Sequence, residues 1–277
     1  KGRINDAKEL HEFTGVEPII DEEAVQKRYL TLLKFGSINR AKELHEFTSI
    51  EPIIDEEAVQ KRYLKDFEKG RINDAKELHE FTGVEPSEEV VQRGYLKDFE
   101  DGSINHAKKL QEFTGVDPII DEEVVQRGYL NLFRNGETDN AIGLQEFTEI
   151  EPDYSKEETK IAVQRGYLTL FGKGWVKYIK DFQKFTGVKP DYSKEETKIA
   201  VQRGYLKCFN YHNLARVKGL QEITGVKPDY SKEEIKEAVQ KGYLKDFEDG
   251  SINHAKELKE FTGVDPSQEL LDRYGVD

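Results

Sequence analysis

Seven side chains offer the readiest chemistry: His11, His45, His79, His106, His212, His254 and Cys208. A helical zinc site needs two ligands one turn apart on a single face, with others brought alongside. No two histidines stand four residues apart, and H-E-x-x-H does not occur. His11, His45 and His79 share one repeated position on separate helices. The expectation is solvated surface histidines, with no metal and no other cofactor. Cys208 precedes His212 by four residues, a spacing open to a thiolate–imidazole pair. A reactive cysteine needs an electropositive, partly open pocket. The plainer reading is that Cys208 fills a place held elsewhere by Leu or Asp. Lys97–Ile104 has the outline of a calcium loop. Aligned on Gly102 and Ile104, its first, third and closing ligand positions are Lys97, Phe99 and Lys108, which rejects it. No glycine-rich phosphate loop and no G-x-S-x-G occurs. No enzymatic activity and no small-molecule substrate is expected.

What could position functional groups is a repeat. V-Q-x-x-Y-L and close variants recur with tyrosine at 29, 63, 95, 129, 167, 205 and 243, at spacings of 34, 32, 34, 38, 38 and 38. All eight prolines share one place: Pro18, Pro52, Pro86, Pro118, Pro152, Pro190, Pro228 and Pro266. Each of those tyrosines is followed by a proline after 23 residues, but the step from proline to tyrosine is 9, 11 or 15. The unit therefore has a fixed part and one elastic joint just after the proline. Asp153–Leu168 recurs unchanged as Asp191–Leu206, which points to recent duplication.

The fixed part reads as two helices. In helix A, Val91, Tyr95 and Phe99 lie at i, i+4 and i+8. After a turn at Asp101-Gly102, helix B carries apolar residues at 104, 107, 110 and 113. It closes at Gly115, which can adopt the left-handed conformation, before Pro118. Ser49 and Glu149 replace that glycine in two repeats, where a poorer or different cap is expected. The joints should cap helix A through Ser87, through Asp21, or through capping boxes pairing Ser155 with Glu158, Ser193 with Glu196 and Ser231 with Glu234. The longest joints should add a turn to helix A.

Charged residues make up 35 % of the 277 and hydrophobic ones 36 %, lean for one large core. Single hairpins cannot bury their apolar sides alone, but stacked neighbours can. The expected fold is all-α: a right-handed α-solenoid of seven to eight helix-turn-helix repeats of 32–38 residues. It should run as one array over 1–277, with units of 32–34 residues in 1–152, 38-residue units from 153 and a terminal fragment at 267–277. No stretch approaches ~18 apolar residues, so no membrane span is expected. No hydrophobic leader follows Lys1, so no signal peptide is expected within this sequence, and the absence of Met suggests that Lys1 is not the native start. One cysteine points mildly to a reducing intracellular compartment. A net charge of -13 argues against nucleic acid as the partner.

The unit resembles helical-hairpin repeats of the pentatricopeptide kind, in short form, and of the tetratricopeptide kind. Gly102 with Ala107 is similar to the pentatricopeptide turn and second helix. Gly83-Val84-Glu85-Pro86 resembles its closing motif. The pentatricopeptide resemblance implies single-stranded RNA read one base per repeat by varying side chains. The matching position here is Gln26, Gln60, Gln92, Gln126, Gln164, Gln202 and Gln240, which never varies and carries no code. The tetratricopeptide-like resemblance implies a peptide or protein held on the concave face of the A helices.

With the tyrosine at angle zero and ~100° per residue, the preceding Val and following Phe share its packing face. The opposite side carries Lys27, Lys61, Arg93, Arg127, Arg165, Arg203 and Lys241, two residues before each tyrosine. Glu23, Glu57, Glu89, Glu123 and Glu237 stand four residues earlier, an ordinary helix-stabilising pairing. Ile161 and Ile199 replace that glutamate before Arg165 and Arg203. An acidic protein or peptide is therefore expected along Arg127, Arg165, Arg203, Thr169 and Lys207. Leu132 and Leu170 would give apolar contact if exposed. Trp175, Tyr178 and Phe182 share an i, i+3, i+7 face that is either repacked core or an exposed aromatic anchor.

Overall fold

The computed structural model describes residue 9, residues 11–16 and residues 19–275. Pro18 and the start of the first helix B lie outside the described residues. The chain divides into two compact units, one ending at Val125 and one beginning at Gln126. The first contains α1 (Glu22–Phe35), α2 (Ile38–Thr48), α3 (Glu56–Phe67), α4 (Ile72–Thr82), α5 (Glu88–Asp101) and α6 (Ile104–Thr114). The boundary falls within α7 (Glu122–Asn135). The second unit continues with α8 (Thr138–Thr148), α9 (Glu157–Lys173), α10 (Val176–Thr186), α11 (Glu195–Asn210) and α12 (Leu214–Thr224). It ends with α13 (Glu233–Glu248), α14 (Ile252–Thr262) and α15 (Gln268–Tyr274).

Odd-numbered helices are the A helices and even-numbered ones the B helices. Within each unit A helices pack on their own B helices and on the next A helix, as α9 does on α10 and α11, and B helices pack on neighbouring B helices, as α10 does on α8 and α12. The result is an all-α, solenoid-like order in which neighbours in sequence are neighbours in space. The core is the predicted stripe: Val163, Tyr167 and Phe171 on α9 are fully buried, as are Val91, Tyr95 and Phe99 on α5. Each tyrosine also donates its hydroxyl to the carbonyl 21 residues on, as Tyr167 does to Val188 at 2.5 Å and Tyr63 to Val84 at 2.7 Å. Burial pushes these phenols up, Tyr95 to about 12.

The constant glutamine is a clamp. Gln164 Nε2 donates to Lys189 O at 2.9 Å, and its Oε1 accepts from Asp191 N at 2.9 Å, on either side of Pro190. Gln60 holds Glu85 O and Ser87 N in the same way, at 2.7 and 2.8 Å. Both ends of the amide are spent on the joint, whatever its length. In the long joints Tyr154 stacks on Phe133 at 6.1 Å between centroids, and Tyr192 lies 6.0 Å from Phe171.

Successive A helices meet backbone to backbone at two places. A Cβ on Gly166 would collide with the Phe133 carbonyl, and one on Gly204 with that of Phe171. The first contact holds α9 against α7 and the second holds α11 against α9.

Asp21 and Asp55 cap as expected, accepting from Ala24 N at 3.2 Å and Ala58 N at 3.1 Å. Ser87 holds the N-cap place without a side-chain cap bond. The three capping boxes are overturned. The N-caps there are Lys156, Lys194 and Lys232, because each serine instead donates its hydroxyl to the aspartate two residues earlier, Ser155 to Asp153 at 2.6 Å. Helix α9 nevertheless starts ten residues before its tyrosine, where α5 starts seven before. Ser49 (φ 54°) and Glu149 (φ 59°) keep the left-handed cap without glycine.

Candidate functional site

On α1 and α3 the basic residue before the tyrosine is answered. Lys27 meets Glu23 at 2.7 Å, and Lys61 meets Glu57 at 2.5 Å. On α5, Arg93 reaches Glu68 at 3.8 Å rather than Glu89. On α9 and α11, Arg165 and Arg203 are exposed and make no ion pair among the described residues. The isoleucines in the glutamate places, Ile161 and Ile199, are exposed at 47 % and 40 %. Since α9 packs on α11, the two arginines occupy equivalent positions on adjoining helices. Lys207 is exposed one turn beyond Arg203. Arg127 on α7 is exposed too, but it is not without a partner.

The surrounding sequence inverts the charge of the chain. Residues 156–227 contain fifteen Lys or Arg against seven Asp or Glu, whereas the whole chain has 42 against 55. That local excess leaves cations without carboxylates to neutralise them, and it favours approach of an anionic partner.

Along α9, Arg165, Thr169 and Lys173 recur every four residues and so follow one face. The row runs into a cleft of about 570 Å³. Thr169, Lys173, Trp175 and Tyr178 form one side of it; Asn135, Glu137, Thr138, Asp139 and Asn140 form the other. Trp175 and Tyr178 are 40 % and 41 % exposed, with ring centroids 5.4 Å apart. Lys173 Nζ sits 4.4 Å above the Trp175 ring, a cation–π contact. Glu137 accepts from Asn140 Nδ2 at 2.8 Å. Thr138, only 2 % exposed, has a hydroxyl with no hydrogen-bond partner. In the other repeats its place belongs to Ile38, Ile72, Ile104, Val176, Leu214 and Ile252, and comparing the repeats at that position is the signal that could have found it.

The expected residues divide three ways. Arg165, Arg203 and Lys207 are open, and Thr169 joins the stripe to the cleft while donating to Arg134 O at 3.3 Å. Leu132 and Leu170 offer no surface: they are 2 % and 0 % exposed, because their edge of the packing face is covered by neighbouring helices. Of the aromatic trio, Phe182 is fully buried core, while Trp175 precedes α10 as its N-cap residue and lies beside Tyr178 at the surface.

The remaining chemistry is internal. The histidines are half-buried rather than fully solvated: His45 and His79 bond the Ile50 and Val84 carbonyls at 3.2 and 3.3 Å. His254 bonds buried Asp246 at 2.7 Å, and His106 stands 3.8 Å from buried Asp98. Burial pushes Asp98 up to about 8. Cys208 is buried, and that burial pushes its thiol up to about 11. Among the described residues no three His, Cys, Asp or Glu side chains are grouped to hold a metal ion. No described helix is long and apolar enough to cross a membrane. No family model, curated protein or solved structure matches the chain.

Proposed function

We propose that this chain is a non-enzymatic scaffold that holds an acidic peptide or protein segment on the exposed face of α9 and α11. The observation that supports this reading best is the open pair Arg165 and Arg203, at equivalent positions within a section of reversed charge. Exposed cations that lack partners cost nothing to desolvate from an existing ion pair, so a carboxylate can use their charge directly. The reading follows the tetratricopeptide-like expectation of a bound peptide in preference to the pentatricopeptide one of RNA. The glutamine at the base-reading position is committed to the proline joint at both ends of its amide.

The test is titration of a labelled acidic peptide, a basic peptide and single-stranded RNA in ~150 mM salt. The acidic peptide is expected to bind alone. Charge reversal, Arg165→Glu with Arg203→Glu, should weaken it by about a hundredfold, roughly tenfold or ~1.4 kcal/mol per site. The circular dichroism spectrum should not change. RNA binding with a steep salt slope would transfer the reading to a pentatricopeptide-like RNA binder.

A further inference from the structure

The cleft has features that an acidic peptide alone does not explain. Its volume of about 570 Å³ is that of a small-ligand pocket. It presents two half-exposed aromatic rings, and at its wall a buried threonine hydroxyl makes no hydrogen bond. A buried polar atom without a partner is costly, and a ligand that supplies one recovers that cost. Every other repeat avoids it with an aliphatic side chain at the same place.

Building on the acidic-segment reading, we propose that the cleft is an anchor pocket for a tyrosine side chain of the bound segment. Its ring would pack on Trp175 and Tyr178, and its hydroxyl would meet Thr138. A cationic side chain is opposed by Lys173, whose ammonium already lies over the Trp175 ring. An aliphatic side chain would leave Thr138 unsatisfied.

The stripe then sets the spacing of the partner. From Lys173 to Arg165 is eight helical residues, about 12 Å at ~1.5 Å per residue. An extended peptide covers that in about four residues at ~3.3 Å each. Arg203 lies one helix over, ~8–10 Å away, or about three residues more. The segment therefore reads as tyrosine with one acidic residue about four positions away and another about three further on.

Trp175 is the only tryptophan in the chain, so its fluorescence reports on this cleft alone. Four peptides without tryptophan serve as probes: the acidic peptide with Tyr at the anchor, the same with Phe, the same with Ala, and a version with Lys in place of its acids. The Tyr peptide should bind at least tenfold more tightly than the Ala peptide and several-fold more tightly than the Phe peptide. It should shift Trp175 emission strongly to the blue, the Phe peptide should do so at several-fold higher concentration, and the Ala and Lys peptides should not. Thr138→Val should erase the Tyr-over-Phe advantage, and Trp175→Ala, followed by anisotropy of labelled peptides, the Tyr-over-Ala advantage. Equal binding of the Tyr, Phe and Ala peptides, with the Lys version inert, overturns the anchor and leaves the acidic-segment reading standing. No binding by any acidic peptide overturns both.

Discussion

In the hairpin α3–α4, Lys61 is held by Glu57, and Arg62 lies buried against Asp66, with Nη2 2.6 Å from Oδ1. Ile72 seals the start of α4. In the hairpin α9–α10, the matching residues are Arg165 without a carboxylate, Gly166, Leu170, and Val176 preceded by the half-exposed Trp175. The tyrosine, the glutamine clamp and the proline joint are the same in both. The open cations of α9 arise by taking partners away, since Lys61 and Arg165 are equally basic and differ in whether a glutamate or an isoleucine stands four residues before. On these two hairpins the neighbour of the cation separates ion pairing from availability, although a glutamate there does not by itself impose the pair, since Arg93 turns to Glu68 instead of Glu89.

The most damaging way to break the comparison is at Gly166, where α3 carries Arg62. Gly166→Ala is expected to cost about 3 kcal/mol, at the upper end of overpacking effects, because its Cβ would meet a backbone carbonyl that cannot rotate away. Gly172→Ala, in the same helix with nothing within 4 Å of its Cβ, should instead stabilise by up to about 1 kcal/mol. Urea unfolding of the two variants reads both signs; destabilisation by both would mean that the helix, not the contact, is at fault.

The place three residues after the tyrosine separates the repeats next: Asp66, Asp98 and Asp246 against Leu32, Leu132, Leu170 and Cys208. Asp98 has its carboxyl raised by burial and by Asp101, against the pull of Lys97, to about 8 from 3.8. The unfolded chain releases this proton near pH 4 and the folded chain near pH 8. Its contribution to stability therefore falls as pH rises through that window and is flat above it. Asp98→Leu should stabilise by about 2 kcal/mol at pH 8.5 and by much less at pH 4.5, measured by urea unfolding at both. A gain of the same size at both would show that packing rather than charge is responsible.

The frame was legible because it repeats: Tyr167, Phe171, Pro190 and the glycine caps are each present several times, and periodicity identifies their face. The surface was only half legible. The replacement of glutamate by Ile161 and Ile199 pointed to Arg165 and Arg203, but an angle near the edge of a face did not decide whether Leu132 and Leu170 were covered. Ser155 looked like a cap, and a nearby aspartate took its hydroxyl instead. The cleft needed three-dimensional placement, since Thr138 and Trp175 belong to different hairpins. The glutamine clamp shows how far the frame is shared. Gln164→Ala and Gln60→Ala should each cost about 1 kcal/mol, two exposed hydrogen bonds lost in both, although their joints differ in length. Unequal costs would show that the long joint carries its own support.

The smallest change in stability makes the sharpest test. Ile161→Glu with Ile199→Glu converts α9 and α11 to the pattern of α3, placing a carboxylate four residues before each arginine. Glu followed by Arg at that spacing stabilises a helix by about 0.2–0.5 kcal/mol per pair. Two exposed isoleucines, at 47 % and 40 %, are replaced at little loss of burial. The double variant should therefore unfold at the same urea concentration or slightly higher. Its affinity for an acidic peptide should nonetheless fall several-fold, because each arginine now has a competing carboxylate on its own helix and the local charge drops by two. Raising the salt should narrow the gap between variant and parent, since the lost attraction is screened. Unchanged affinity would mean that the open arginines are not what the acidic segment uses. The reverse change, Glu57→Ile, frees Lys61 on a hairpin that has Ile72 where Thr138 stands, and it should create no tyrosine-dependent binding there.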